Sequence, residues 1–279
     1  MTTTQITVTN RLVPGGPGQP DIPIRHYEPE LAAGTLVWAH GGSFVRGTLD
    51  WPESDWVARR IAEAGTRVIA VDYRLASEAV RAPAPAEDVT AVLFWAGAEF
   101  GAPLSIGGAS AGGQLAVHAA LAQADAAQES AAPKPEALLL LYPTLHEQQR
   151  ADAEIEALVR ELPEARRFRP DRILAMYEDY LGPVTGPERQ ARIAGELPRE
   201  RLAQLPRTTI VTAEADELRA SAEQFAEQLS AAGVPVRATI EAGTVHGYLN
   251  RPEASPEAER QARATIDCFL SALPGSARP

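Results

Sequence analysis

Residues 108–112 read Gly-Ala-Ser-Ala-Gly, with a further glycine at 113. The serine stands where a short apolar run ends and a helical pattern begins. A sharp strand-to-helix turn there lifts the Ser110 hydroxyl out of a sheet edge. Gly108 and Gly112 let neighbouring backbone approach without a Cβ. The helix that follows turns its N–H groups and positive dipole end toward developing negative charge. Upstream, His40-Gly41-Gly42-Ser43-Phe44 follows another apolar run. A glycine-rich turn at a strand end can aim backbone N–H groups at an oxyanion. A serine nucleophile also needs a base, and the base needs an orienting acid. His246, in His-Gly-Tyr, supplies an imidazole. Asp216, or Glu214 two residues before it, supplies a carboxylate.

These groups need a scaffold that presents strand ends together. Short apolar runs alternate with amphipathic stretches along the chain. Strands are predicted at 6–8, 22–27, 35–39, 67–71, 104–107, 137–142, 208–213 and 236–240. Helices are predicted at 51–64, 86–100, 111–122, 219–232 and 256–273. The run Ala-Leu-Leu-Leu-Leu-Tyr at 137–142 is apolar on both faces, as in a parallel strand covered by helices on both sides. The alternation implies a doubly wound α/β sheet of about eight strands, with Ser110, Asp216 and His246 all at strand C-terminal ends, where open sheets bind ligands.

One stretch breaks the alternation. Residues 146–207 hold 12 acids and 11 arginines, too long for an ordinary crossover. Helices are predicted near 152–162 and 170–181. Solvated helices with i,i+4 charge pairs would account for it. The placement of the motifs favours a small cap over a site. Phe44 and Tyr248 flank motifs, His146 opens the long segment and Met176 lies within it, so these four are candidate pocket residues. Phe168, Tyr177 and Tyr180 could roof the pocket or form the core of the cap.

Composition narrows the partners. The 279 residues are 45% hydrophobic with net charge −11, which argues for a globular fold and against a nucleic-acid backbone as partner. One cysteine, Cys268, excludes an internal disulfide or a cysteine zinc site. No His/Cys/Asp cluster has metal-ligand spacing, so neither metal nor cofactor is expected. Residues 1–10 lack an apolar leader core, and no apolar run approaches the ~20 residues of a membrane span. The expected partner is a small molecule, with no membrane, in the cytoplasm.

The motifs together resemble the hormone-sensitive-lipase-like branch of the α/β hydrolases, the bacterial family IV esterases. The matching pieces are HGGSF (40–44), VDYRLASE (71–78), PAEDV (85–89), GASAGG (108–113), LPRTTIVTAEADELR (205–219) and HGY (246–248). The resemblance implies an α/β-hydrolase fold, with one domain over 1–279 and a helical cap inserted at 146–207. By it, Ser110 is the nucleophile, His246 the general base and acid, and Asp216, rather than Glu214, the orienting carboxylate. Gly42, Ser43 and Ala111 are the oxyanion-hole donors. His40 shapes the turn, and Asp72, Tyr73, Arg74 and Asp88 belong to the scaffold. The implied activity is hydrolysis of short-chain carboxylic esters through an acyl-enzyme. A formamidase- or peptidase-like amide hydrolase is the alternative, and a non-catalytic small-molecule receptor stands further off. A homodimer is compatible with the resemblance. The chain departs from the family pattern at Ser43, where glycine is usual, at Ala109, where aspartate is usual, and at Ala220.

Overall fold

The computed structural model describes residues 4–16, 18–130, 132–162 and 168–275. Eight strands form one sheet: β1 (Ile6–Val13), β2 (Ile22–Pro29), β3 (Thr35–Ala39), β4 (Arg67–Val71), β5 (Leu104–Ala109), β6 (Ala137–Leu141), β7 (Arg207–Ala215) and β8 (Val236–Val245). Their order is β1-β2-β4-β3-β5-β6-β7-β8. β1 pairs antiparallel with β2, and β2 antiparallel with β4. The remaining neighbours run parallel, so the strands from β3 to β8 deliver their C-terminal ends to one edge.

Strand periodicity sorts the core into two layers. Val37 and Ala39 of β3, Ile69 and Val71 of β4, and Leu138 and Leu140 of β6 face one side. There they meet α2 (Ala84–Phe100), α3 (Ala111–Glu129) and α8 (Arg219–Ala231). Leu36, Trp38, Val68, Ala70, Leu139 and Leu141 face the other, against α1 (Pro52–Glu63) and α9 (Pro256–Ala272). This two-sided burial is why the central strands read as continuous apolar runs.

Residues 146–207 contain α4 (Ala153–Glu161), α5 (Pro170–Leu181), α6 (Gly186–Gln190) and α7 (Arg199–Leu202). Asp152 caps α4 by accepting from the N–H groups of Glu154 and Ile155. Ile155 and Val159 of α4 pack on Ala215 and Ala220, beside Asp216. Tyr180 of α5 stacks on Phe44, ring centroids 4.0 Å apart. Two contacts tie the segment to the helix that begins at the serine. Gln114 of α3 accepts from the Ala194 N–H and donates to the Arg192 carbonyl.

Some boundaries differ from the sequence reading, for local reasons. β8 runs five residues beyond 240, through Gly243, because a register shift between Ala213 and Ala215 lets Val245 still pair with β7. His26 is buried beside Phe100 and bonded to Glu28, which Arg67 also engages. Asp88 sits where a scaffold contact was expected. Its buried carboxylate takes the Arg74 guanidinium at 2.7 Å and the Arg74 N–H at 2.8 Å, pinning the end of β4 to α2.

Gly112 is where the sheet and the serine helix come closest. A Cβ there would run into the carbonyls of Ala39 and His40, backbone that cannot swing away. Gly112→Ala should therefore destabilise the fold by about 1–3 kcal/mol, seen as a lower urea midpoint at unchanged slope.

Candidate active site

Ser110 lies between β5 and α3 with φ 52° and ψ −117°. A residue with a Cβ rarely adopts this region, so its neighbours must hold it there. The Ser110 N–H donates to the Leu141 carbonyl, while its own carbonyl accepts from Gly113 and Thr144. The hydroxyl that results is 3.1 Å from His246 Nε2. His246 Nδ1 is 2.7 Å from Asp216 Oδ2. With Nδ1–H donating to the carboxylate, Nε2 is left to accept from the serine hydroxyl. Asp216 is fully buried, and its other oxygen accepts from the Leu218 N–H. Phe168 stands edge-on to the imidazole at 4.6 Å, and Tyr142 flanks it at 4.8 Å. An imidazole so placed can take the hydroxyl proton and later return it. Glu214 does not join this relay; its carboxylate accepts from the Gly243 N–H.

The 40–44 turn stands directly against Ser110: a Cβ on Gly41 would lie 3.0 Å from the Ser110 Cβ. Among the described residues, none accepts from the N–H groups of Gly42, Ser43 or Ala111. The turn closes with Arg46 N–H donating to the Gly42 carbonyl. Ser43 has φ 56°, the region glycine favours, so its side chain is tolerated at a backbone cost. Burial lowers the His40 pKa, which keeps the ring neutral, and Nδ1–H donates to the Gly41 carbonyl at 2.7 Å. Tyr73 stacks on that ring and donates to the His40 carbonyl.

Beneath the turn lies Glu53, which no sequence motif singles out. One oxygen accepts from the Gly41 N–H at 2.9 Å. The other accepts from the Tyr142 hydroxyl at 2.8 Å and the Asn250 amide at 2.9 Å. Burial, with the Glu53 charge beside it, keeps the Tyr142 phenol protonated and donating. One buried carboxylate thus links the ends of β3 and β6 to the loop carrying His246. In sequence it resembles any acid in the first turn of a helix, where the dipole favours one.

The four candidate pocket residues separate. Met176 lines an open cleft of about 660 Å³ with Ser43, Val45, Phe168 and others. Phe44 is fully buried beneath Tyr177 and Tyr180, so it supports α5 rather than facing the cleft. Tyr248 turns toward α9, where its hydroxyl meets Thr265. His146 is buried between Ser221 and Gln228, away from this cleft. Flanking a motif in sequence does not decide which way a side chain points, and these three are drawn into the packing.

Residues 36–250 match the family described by the alpha/beta hydrolase fold. The chain belongs to the α/β hydrolases, in their hormone-sensitive-lipase-like branch. It is 35% identical over 265 residues to the carboxylesterase NlhH of Mycobacterium tuberculosis, covering 88% of this chain and 76% of that protein. It is 33% identical over 256 residues to the carboxylic ester hydrolase LipN of the same organism. That match covers 88% of this chain but 65% of LipN, so the chain spans just under two thirds of that relative. The thermostable carboxylesterase EstE1, cloned from a metagenomic library, superposes with TM-score 0.80 at 26% identity, over 98% of this chain and 91% of its own. No helix among the described residues is long and apolar enough to cross a membrane.

Two predictions arise from this geometry. Glu53→Gln replaces one acceptor oxygen with a donor facing donors, which loosens the 40–44 turn. Steady-state kinetics should show kcat down by about 10- to 100-fold with KM little changed. Away from the relay, burial holds the imidazoles of His118 and His146 down at about 4, from an ordinary 6.5. The unfolded chain takes up these protons near pH 6.5 and the folded chain does not until about pH 4. Stability present above pH 6.5 is therefore lost as the pH falls toward 4. Urea midpoints measured across that window should decline, and His146→Gln should flatten the decline.

Proposed function

We propose that the protein is a serine hydrolase that cleaves short-chain carboxylic esters. The observation that carries this reading is the hydrogen-bonded run from Ser110 through His246 to buried Asp216, at 3.1 and 2.7 Å. In the proposed cycle His246 takes the Ser110 proton as Oγ attacks the ester carbonyl. Asp216 holds the Nδ1–H tautomer and stabilises the imidazolium. The N–H groups of Gly42, Ser43 and Ala111 receive the oxyanion. His246 then protonates the departing alcohol, leaving an acyl-serine. Water, activated by the same imidazole, reverses the steps.

Residues 146–207 act in this reading as a cap. α5 forms one wall of the cleft beside Phe168, which already covers one side of His246. The aromatic groups that could have extended an acyl tunnel are packed together instead, with Tyr180 stacked on Phe44 and Tyr177 tilted against it. That supports short acyl chains. The relatives named above are ester hydrolases, which favours esters over amides or formamides. A receptor on this scaffold would have no use for an intact proton relay.

Hydrolysis of 4-nitrophenyl acetate, butyrate and octanoate by the purified protein tests this. Activity should fall from the short to the long acyl chain. Ser110→Ala should abolish it, and Asp216→Asn should lower kcat on the order of 10³- to 10⁴-fold by fixing the wrong tautomer. Undiminished turnover by Ser110→Ala would overturn the mechanism.

A further inference from the structure

The cleft between the 43–46 segment and α5 carries charge opposite to that of the whole chain. One wall is a single stripe of α5, Arg172, Ala175, Met176 and Asp179, at helical spacing. The facing wall is Ser43, Val45 and Arg46, immediately after the turn that stands against Ser110. Phe168 and Arg169 join the two walls, and Phe168 touches His246. The cleft is therefore joined to the reacting groups through Phe168 and the 40–44 turn, which it shares with them. Among the described residues its lining holds three arginines and one carboxylate, in a chain of net charge −11.

The three arginines are not equivalent. Arg169 is 3.1 Å from the Asp171 carboxylate and so is partly neutralised. Among the described residues, no carboxylate lies within ion-pair distance of the Arg46 or Arg172 guanidinium, and neither donates a side-chain hydrogen bond. Other arginines of the same segment are matched: Arg189 to Glu147, Arg192 to Glu188, Arg150 to Glu227. Asp179 lies seven residues beyond Arg172 on the stripe, about 10 Å along the helix, so positive potential concentrates at the end nearer Phe168.

We infer that the ester taken by this site carries a carboxylate, held between Arg46 and Arg172. This rests on the esterase reading above and names the substrate class within it. Two unpaired guanidinium forks on opposite walls suit a planar carboxylate, which each can engage through two N–H groups. Asp179 repels the same group from the far end of the cleft. Both arginines are exposed, so the preference acts through capture of substrate, is felt in KM and weakens with salt.

Two matched substrate pairs test the inference: monomethyl against dimethyl adipate, with the charge on the acyl side, and 4-acetoxybenzoate against its methyl ester, with the charge on the alcohol side. In at least one pair the anionic member should have a kcat/KM about tenfold above its neutral partner at low salt. The advantage should shrink severalfold between about 10 mM and about 300 mM NaCl. In the Arg46→Gln/Arg172→Gln double variant the anionic-to-neutral ratio should collapse, mainly through KM of the anionic ester. Turnover of the neutral esters with no anionic advantage in either pair would overturn the inference and leave the esterase reading standing. Failure to hydrolyse any of the four would overturn both.

Discussion

The backbone of Ser110, at φ 52° and ψ −117°, is the constraint on which the rest of the site depends. That conformation persists only because surrounding groups hold it. β6 accepts the Ser110 N–H, Gly113 and Thr144 donate to its carbonyl, and Gly112 lets β3 press against the first turn of α3. The parallel sheet supplies these partners because β3, β5 and β6 are neighbours whose ends lie at the same edge. β7 and β8 carry the sheet onward, so the loops after them bring Asp216 and His246 to the same hydroxyl.

A second constraint couples the loops to one another. Glu53 sits under the 40–44 turn and accepts from Gly41, Tyr142 and Asn250, which come from three separate strand-end loops. Each donor is buried or partly buried, and an unmet donor among them would cost roughly 1–3 kcal/mol. Moving any one loop would break a bond to the others. The amides of Gly42 and Ser43 and the imidazole of His246 are thereby held in a fixed relation before any substrate arrives. In the proposed cycle such preorganisation would make oxyanion stabilisation effective. The unpaired arginines in the cleft lie outside this rigid frame, on an exposed loop and the exposed face of α5, where charge can select a substrate without disturbing the relay.

Much of this was legible in the sequence, for a physical reason. Central strands buried on both faces must be apolar throughout, so 137–141 and 67–71 announce themselves. A turn as tight as that at Ser110 requires glycine at 108 and 112. Ser110 and His246 stood out because each follows a strand, whereas only the family resemblance separated Asp216 from Glu214. Side-chain direction left no such trace. Phe44 and Tyr248 adjoin motifs yet turn into packing, and His146 turns toward Ser221 rather than the cleft. Glu53 was hidden because a first-turn glutamate is what any amphipathic helix can carry, and its three donors come from loops far apart in sequence. β8 was underestimated because the chain bends at Gly243, φ 70°, and regains its pairing with β7 only at Val245.

We propose that His246 and Asp216 make Ser110 a nucleophile. Peptide-mapping mass spectrometry after exposure to a fluorophosphonate tests it most directly. One phosphonyl group per chain is expected, on the peptide containing Ser110, with capture slowed severely in His246→Ala. Absence of an adduct on folded protein, or modification at another serine with Ser110 untouched, would contradict it.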